Sequence, residues 1–192
     1  PEVIGRNVAA GLIDRIVDAL CGGAATTPRL QDAVTDSGAM GFSGTVDEID
    51  AYFRSKDWID GLPFVPPTIE RVERFLRHTA RSPDEEIAVL PSANLRATPR
   101  NIAANAVMAG CRPEHMPLLI AAVEALADEK CSLNNIGSSS GIIPFVLVNG
   151  PIVKTLGIEA GRQLISRGPN PSIGRAIALI VRNIAGFHPG AS

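Results

Sequence analysis

Two apolar helical runs meet at a short joint in the stretch "NAVMAGCRPEHMPLLIAAVEAL", residues 105–126. Gly110 closes the first run and Pro113 opens the second, as these residue types do at helix C-terminal and N-terminal ends. Thr98 and Pro99 supply the start of the first helix, and the second continues to about residue 128. The stretch therefore predicts two packed helices that fix the core. The joint between them carries Cys111, Arg112, Glu114 and His115.

The regions on either side of this pair predict further short elements. Thr45 and Thr68 are candidate N-caps for helices over about residues 45–54 and 68–78, and "EIAVLP" (86–91) has the pattern of a short strand. The β-branched run "IIPFVLVNGP" (142–151) predicts a buried strand, and two more helices are expected at 158–166 and 172–185. The prediction is an α/β or α+β fold: a helix-rich single domain around a few short buried strands.

The first 43 residues differ in pattern from the rest of the chain. "VIGRNVAAGLIDRIVDAL" (3–20) repeats apolar residues at four-residue intervals, which predicts an amphipathic helix, and the stretch after it is rich in Gly, Ala, Ser and Thr, as linkers are. We therefore expect residues 1–22 to be a helix that ends a preceding domain, residues 23–43 to be a linker, and residues 44–192 to form the helix-rich domain.

Composition excludes several classes of function. The chain of 192 residues is 45% hydrophobic and 20% charged with a net charge of −2, so it has no broad positive field for nucleic acid. No apolar run is long enough to cross a membrane, and the N-terminus lacks a signal-peptide pattern. Three cysteines without regular spacing predict neither disulfides nor a metal site, and we expect no cofactor and a cytoplasmic location.

Cys111 has two interpretations that local spacing does not separate. A cysteine just before a helix N-terminus and next to Arg112 is in a position where both features stabilise a thiolate, although Glu114 opposes them. His115 could accept a proton. Cys111, Glu114 and His115 are therefore candidate catalytic residues. Alternatively, Cys111 is a small buried hydrophobe and its polar neighbours are structural.

Three other groups of residues are candidates for substrate binding. Asn101 and Asn105 lie one turn apart on a helix, away from its apolar face, and Arg175 is a cation in the first turn of another helix, where the dipole calls for an anionic partner. The loop "SLNNIGSSSGI" (132–142) could hold an oxyanion through its backbone N–H groups. The side chains of this loop that we include in the site are Asn134, Asn135, Ser138, Ser139 and Ser140, together with Arg112 from the joint.

Three separated blocks occur in one order within residues 45–186: "DWIDGLPFVPPTIERVERFL", "RNIAANAVMAGCRPEHMPLLIAAVEAL" and "PSIGRAIALIVRNIAG". Together they resemble the region that accompanies the bacterial UGSC family, named after a selenocysteine (or Cys)-Gly-Ser-Cys tetrapeptide. The tetrapeptide itself is absent, and the "SSSG" loop departs from the threonine-rich form expected there. The resemblance implies thiol or selenol chemistry shared with a UGSC-like domain. It falls on Asn105, Cys111, Arg112, Pro113, Glu114, Gly174, Arg175 and Asn183.

Two functions follow from these observations. The first is a thiol-dependent enzyme (a lyase, hydrolase or oxidoreductase) that uses Cys111 as nucleophile or redox thiol on a small polar or anionic substrate, in a site shared with a UGSC-like domain or subunit. The second is a non-catalytic partner that completes the core and interface of a separate catalytic domain. In both cases we expect an oligomer.

Overall fold

The structure is a computed structural model, and it describes residues 42–91, 93–133, 143–161 and 166–188. The chain divides into two units, residues 1–41 and 42–192. The predicted N-terminal helix and almost all of the predicted linker lie outside the described residues, and that division into domains stays a prediction. No helix in the described ranges is long and apolar enough to span a bilayer.

Threonine caps begin the first two helices of the described part. Helix α1, Val46–Ser55, starts at Thr45, whose side chain accepts from the Glu48 N–H while Glu48 Oε2 accepts from the Thr45 N–H at 2.7 Å. Helix α2, Ile69–Leu76, starts at Thr68, whose side chain accepts from the Arg71 N–H. Both caps satisfy N–H groups that have no partner within the helix. Both predicted helices are confirmed, α2 being about two residues shorter than expected.

A hairpin connects α2 to the central helix. Strands β1 (Ala88–Leu90) and β2 (Leu95–Ala97) pair antiparallel, with Val89 opposite Arg96. Helix α3 follows at once as Pro99–Met108, capped by Thr98. The strand predicted at 86–91 and the helix predicted from Thr98 are confirmed, whereas β2 was not predicted.

The predicted joint has the expected organisation. Gly110 has a φ of +77° after α3, and the chain then enters a 3₁₀ turn, Pro113–His115, that leads directly into helix α4, Met116–Ala127. A second 3₁₀ turn covers Glu129–Cys131. Helices α5 (Pro151–Thr155) and α6 (Asn170–Asn183) complete the described elements.

Helix α3 lies at the centre of the core and packs against α2, α4 and α6. Its small side chains Ala103 and Ala106 are fully buried, which lets the neighbouring helices approach closely. α3 and α6 run antiparallel: Cys111, just after α3, contacts Ser172 in the first turn of α6, whereas Asn105, earlier in α3, contacts Asn183 at the end of α6. The fold class is confirmed as a helix-rich single domain, with one small sheet in the described residues.

Two predicted elements are wrong in the residues that the structure describes. Residues 143–149 form no strand and are largely exposed. Residues 158–161 are not helical, because the Asn170 side chain binds both backbone groups of Glu159, accepting from its N–H at 3.0 Å and donating to its carbonyl at 2.9 Å. The helix of this region begins earlier, at Pro151 after Gly150, whose φ is +92°.

Candidate functional site

The Asn101 carboxamide is used by the cap of α3. Its Oδ1 accepts from the Thr98 N–H at 2.8 Å, and its Nδ2 donates to the Arg96 carbonyl at 2.8 Å. In return, the Thr98 hydroxyl accepts from the Asn101 N–H at 3.3 Å. Both ends of this amide therefore hold the junction between β2 and α3. The predicted role of Asn101 in substrate binding is left to the one N–H and the one lone pair of the amide that the cap does not use.

Asn105 belongs to a buried network of carboxamides. It is only 4% exposed, its Nδ2 donates to the Asn101 carbonyl at 2.9 Å, and its Oδ1 accepts from Asn183 Nδ2 at 2.7 Å. Asn183 Nδ2 also donates to the Trp58 carbonyl at 2.9 Å, while Asn183 Oδ1 is buried without a partner among the described residues. The network joins α3, α6 and the segment after α1. Sequence spacing predicted the Asn101 and Asn105 pair but not the distant Asn183.

Cys111 is a half-buried thiol against the start of α6. Its Sγ donates to the Ser172 carbonyl at 3.2 Å, which favours the protonated form, and the Ser172 hydroxyl donates to the Pro169 carbonyl at 2.9 Å and not to the sulfur. Burial raises the pKa of the Cys111 thiol to about 11. The geometry therefore holds a thiol at neutral pH, which favours the second of the two interpretations that local spacing left open.

The other residues of the joint fasten it to the fold. Arg112 Nη2 donates to the Leu156 carbonyl at 2.9 Å, and the Arg112 N–H donates to His115 Nδ1 at 3.3 Å. His115 is 1% exposed, and its Nε2 has no partner in the described part of the chain. Burial, together with the positive charge of Arg112, lowers the pKa of His115, and Glu114 opposes this only in part. His115 is therefore neutral at pH 7, and Glu114 is exposed to solvent.

The anionic partner that the helix dipole calls for at Arg175 comes from the same chain. Arg175 binds Asp60 with two hydrogen bonds, Nε to Oδ2 and Nη2 to Oδ1, both at 2.8 Å. Its Nη1 also donates to the Pro63 carbonyl at 2.8 Å. This bidentate pair fixes the irregular segment after α1 onto α6. The Arg175 guanidinium lowers the pKa of the Asp60 carboxyl.

The predicted site is thus only partly assembled. Cys111, Arg112, Glu114 and His115 are neighbours at the joint, but Arg175 and Asn105 have partners elsewhere. The side chains predicted in the loop 132–142, namely Asn134, Asn135, Ser138, Ser139 and Ser140, lie outside the described residues. A cleft of about 180 Å³ runs along α6 between Asp60 and Pro144, and none of the predicted site residues lines it.

Two clusters were not predicted as functional features. Asp57, with a φ of +58°, binds Arg182 and also His188, whose Nδ1 is 2.9 Å from Asp57 Oδ2. No spacing rule brings together residues so far apart in the sequence.

Among the described residues, no group of three or more His, Cys, Asp or Glu side chains could hold a metal ion.

The second unpredicted cluster is aromatic and surrounds α1. Phe42 stacks on Tyr52 with ring centroids 4.5 Å apart, and Trp58 packs edge-on against both Tyr52 and Phe53. Phe53 in turn packs against Phe64 at 4.8 Å. Trp58 and Phe64 lie in the irregular stretch 57–68, whose apolar residues among prolines were the sequence signal for part of this cluster. We call these five residues, Phe42, Tyr52, Phe53, Trp58 and Phe64, the aromatic cluster.

Comparison of the chain with protein-family models, with curated proteins and with solved structures gave no match. The resemblance to the region that accompanies the UGSC family, and the nucleophilic role of Cys111, therefore stay predictions.

Alkylation tests the state of Cys111 directly. With a pKa of about 11 against about 8.5 for an ordinary thiol, the thiolate fraction at pH 8 is smaller by about two orders of magnitude. We expect Cys111 in the folded chain to react with iodoacetamide about a hundredfold more slowly than in urea, as measured by peptide mass spectrometry. The exposed Cys131 controls for the reagent. Fast labelling of the folded chain at pH 7 would instead support a nucleophile.

Proposed function

We propose that this domain is a non-catalytic partner that completes the interface of a separate, UGSC-like domain. The observation that carries the proposal is the aromatic cluster around α1: two of its five rings, Phe42 and Trp58, are exposed to solvent, and α1 has no buried residue. Large aromatic side chains in an incompletely covered cluster are typical of the energetic centres of protein interfaces.

The exposures around α1 support this proposal. Phe42 and Trp58 are 43% and 37% exposed although each packs against other rings. Val46, on the first turn of α1, is 72% exposed. Val46 lies seven residues before Phe53 on α1, a spacing that places both on the same face of the helix. A partner surface that covers these side chains would gain roughly 25 cal/mol for each Å² of apolar area that both sides remove from water.

The state of the predicted catalytic and substrate-binding residues favours a partner over an enzyme. The Cys111 thiol has a raised pKa, and Asn101, Asn105 and Arg175 bind groups of their own chain. These residues explain how the domain holds its shape. Reactive thiol or selenol chemistry, and the small polar or anionic substrate, then belong to the UGSC-like domain. We place this complex in the cytoplasm, because Cys111 and Cys131 are free thiols.

Binding of a UGSC-family domain to the full chain tests the proposal. Trp58 is the chain's one tryptophan, so its emission reports directly on the aromatic cluster. We expect Trp58 emission to shift to the blue when the partner binds, with the partner's own emission subtracted. Val46→Asp should weaken binding by about tenfold or more, because a charge is placed in an apolar contact.

The variants are chosen to separate binding from folding and from catalysis. An acidic residue is compatible with the first turn of α1, so Val46→Asp leaves the helix intact. Val89→Asp is the matched control, since Val89 is an exposed valine of β1 outside the cluster. Cys111→Ser should also leave binding unchanged. A partner that does not bind, or that binds without a response from Trp58 or Val46→Asp, would contradict the proposal.

A further inference from the structure

Residues 143–149, which we call the apolar segment, have the side-chain alternation of a strand. Ile143, Phe145 and Leu147 are 89%, 90% and 78% exposed, whereas on the other face Pro144 and Val148 are half-buried and Val146 is only 40% exposed. Val148 packs against the core. A period of two is that of an extended chain whose successive side chains point to opposite faces. One apolar face thus lies on the domain and the other is open.

The backbone N–H and carbonyl groups of the apolar segment are also without partners in the part of the chain that the structure describes. Strands β1 and β2, three residues each, already pair with each other. An apolar strand with unpaired backbone groups is a template for pairing with another strand.

Pro144 decides which edge of the apolar segment can pair. The N–H and carbonyl of one residue point to the same edge of a strand, and those of the next residue point to the other edge. Pro144 has no N–H, so the edge formed by the even-numbered residues is defective. The edge formed by residues 143, 145, 147 and 149 is complete. Only one partner strand can therefore pair with full hydrogen bonding.

Charge and symmetry identify that partner. No charged residue occurs from position 131 to position 153, so two identical segments can approach without like-charge repulsion. Antiparallel pairing about a two-fold axis at Val146 sets Phe145 opposite Leu147 of the other copy, in hydrogen-bonded positions. The same register sets Pro144 opposite Val148, in a position where no N–H is required. The segment is self-complementary, as a two-fold interface demands.

We infer that two copies of this chain pair antiparallel through residues 143–149, centred on Val146. This interface is separate from the aromatic cluster and does not depend on the proposed function. It buries the exposed faces of Ile143, Phe145 and Leu147 around the axis, and it gives the odd-numbered backbone groups their partners. The segment then becomes the strand that its sequence predicts, completed by the second copy.

Sedimentation of the full chain over micromolar concentrations tests this inference. We expect a reversible dimer whose dissociation constant rises at least about tenfold in Phe145→Glu, and also in Leu147→Lys. Because position 145 faces position 147 of the other copy, the double variant Phe145→Glu/Leu147→Lys should recover part of the lost affinity through two opposite-charge pairs. Val89→Glu is the control: it places the same charge at an exposed valine outside the apolar segment and should leave the dimer unchanged.

Amide hydrogen exchange provides the second readout. Residues 145, 147 and 149 should be protected at high protein concentration and lose that protection on dilution. A chain that stays monomeric at high concentration, with fast exchange at these amides, would overturn the inference. A dimer that persists in Phe145→Glu would overturn it too. A dimer weakened by both single variants but not recovered in the double variant would overturn the register.

Discussion

Replacing Gly186 by alanine is expected to lower the free energy of unfolding by about 2 to 5 kcal/mol. Gly186 follows α6 with a φ of +80°, a conformation that costs an L-residue about 1 to 2 kcal/mol. A Cβ at this position would also lie 2.5 Å from the Cβ of Ala93, in the hairpin turn. Ala93 cannot rotate away, because its N–H donates to the Ala185 carbonyl at 3.0 Å. Urea unfolding followed by Trp58 fluorescence measures the change.

Gly110→Ala separates the two causes of this loss. Gly110 has nearly the same φ, +77°, but a Cβ there would meet no atom within 4 Å. It should therefore lose only the conformational part, about 1 to 2 kcal/mol. Equal losses at Gly110 and Gly186 would mean that the hairpin turn moves aside freely and that its contact with the end of α6 is loose.

Helices whose ends carry their own chemical signals could be predicted from the sequence. Thr45, Thr68 and Thr98 each begin a helix in the structure, because a side-chain cap acts on N–H groups three residues away and needs no distant partner. Gly110 and Pro113 mark the joint for the same reason. The fold class follows from these local signals, as does the pairing of apolar helices into one core.

Elements that depend on distant partners could not be predicted. The segment 143–149 has the residue types of a buried strand, but whether it is buried depends on a surface that local pattern does not contain. Residues 158–161 read as helical, yet Asn170 takes the backbone groups that a helix would use. In both cases a non-local contact outweighs the local preference.

The protonation of the candidate site also depends on contacts that the local sequence does not contain. Position near a helix N-terminus and next to Arg112 would favour a thiolate at Cys111, and both features are present. The pKa is nevertheless raised, because the fold buries the sulfur against the start of α6, 61 residues away in the sequence. Burial outweighs the nearby positive charge. The residue types of a site can be read from a sequence, but their protonation depends on what the fold packs around them.

Replacing Arg175 by methionine is expected to lower the free energy of unfolding by about 2 to 3 kcal/mol at pH 7. The change removes the bidentate pair with Asp60 and the bond to the Pro63 carbonyl, while the methionine stem keeps most of the packing. At 19% and 29% side-chain exposure the pair is partly screened, which keeps the effect below that of a fully buried ion pair. Urea unfolding at pH 7 measures the loss.

The pH dependence of this loss identifies its cause. Arg175 lowers the pKa of Asp60 in the folded chain, so the pair contributes its stability above the unfolded pKa of about 3.9 and loses it as the pH falls through the lower folded value. The difference between Arg175→Met and the unchanged chain should therefore shrink below about pH 4. Arg96→Met, which removes an exposed pair with Glu86, should cost less than about 1 kcal/mol. If Arg175→Met is as stable as the unchanged chain, the guanidinium is free of Asp60 in solution and available to an anionic ligand.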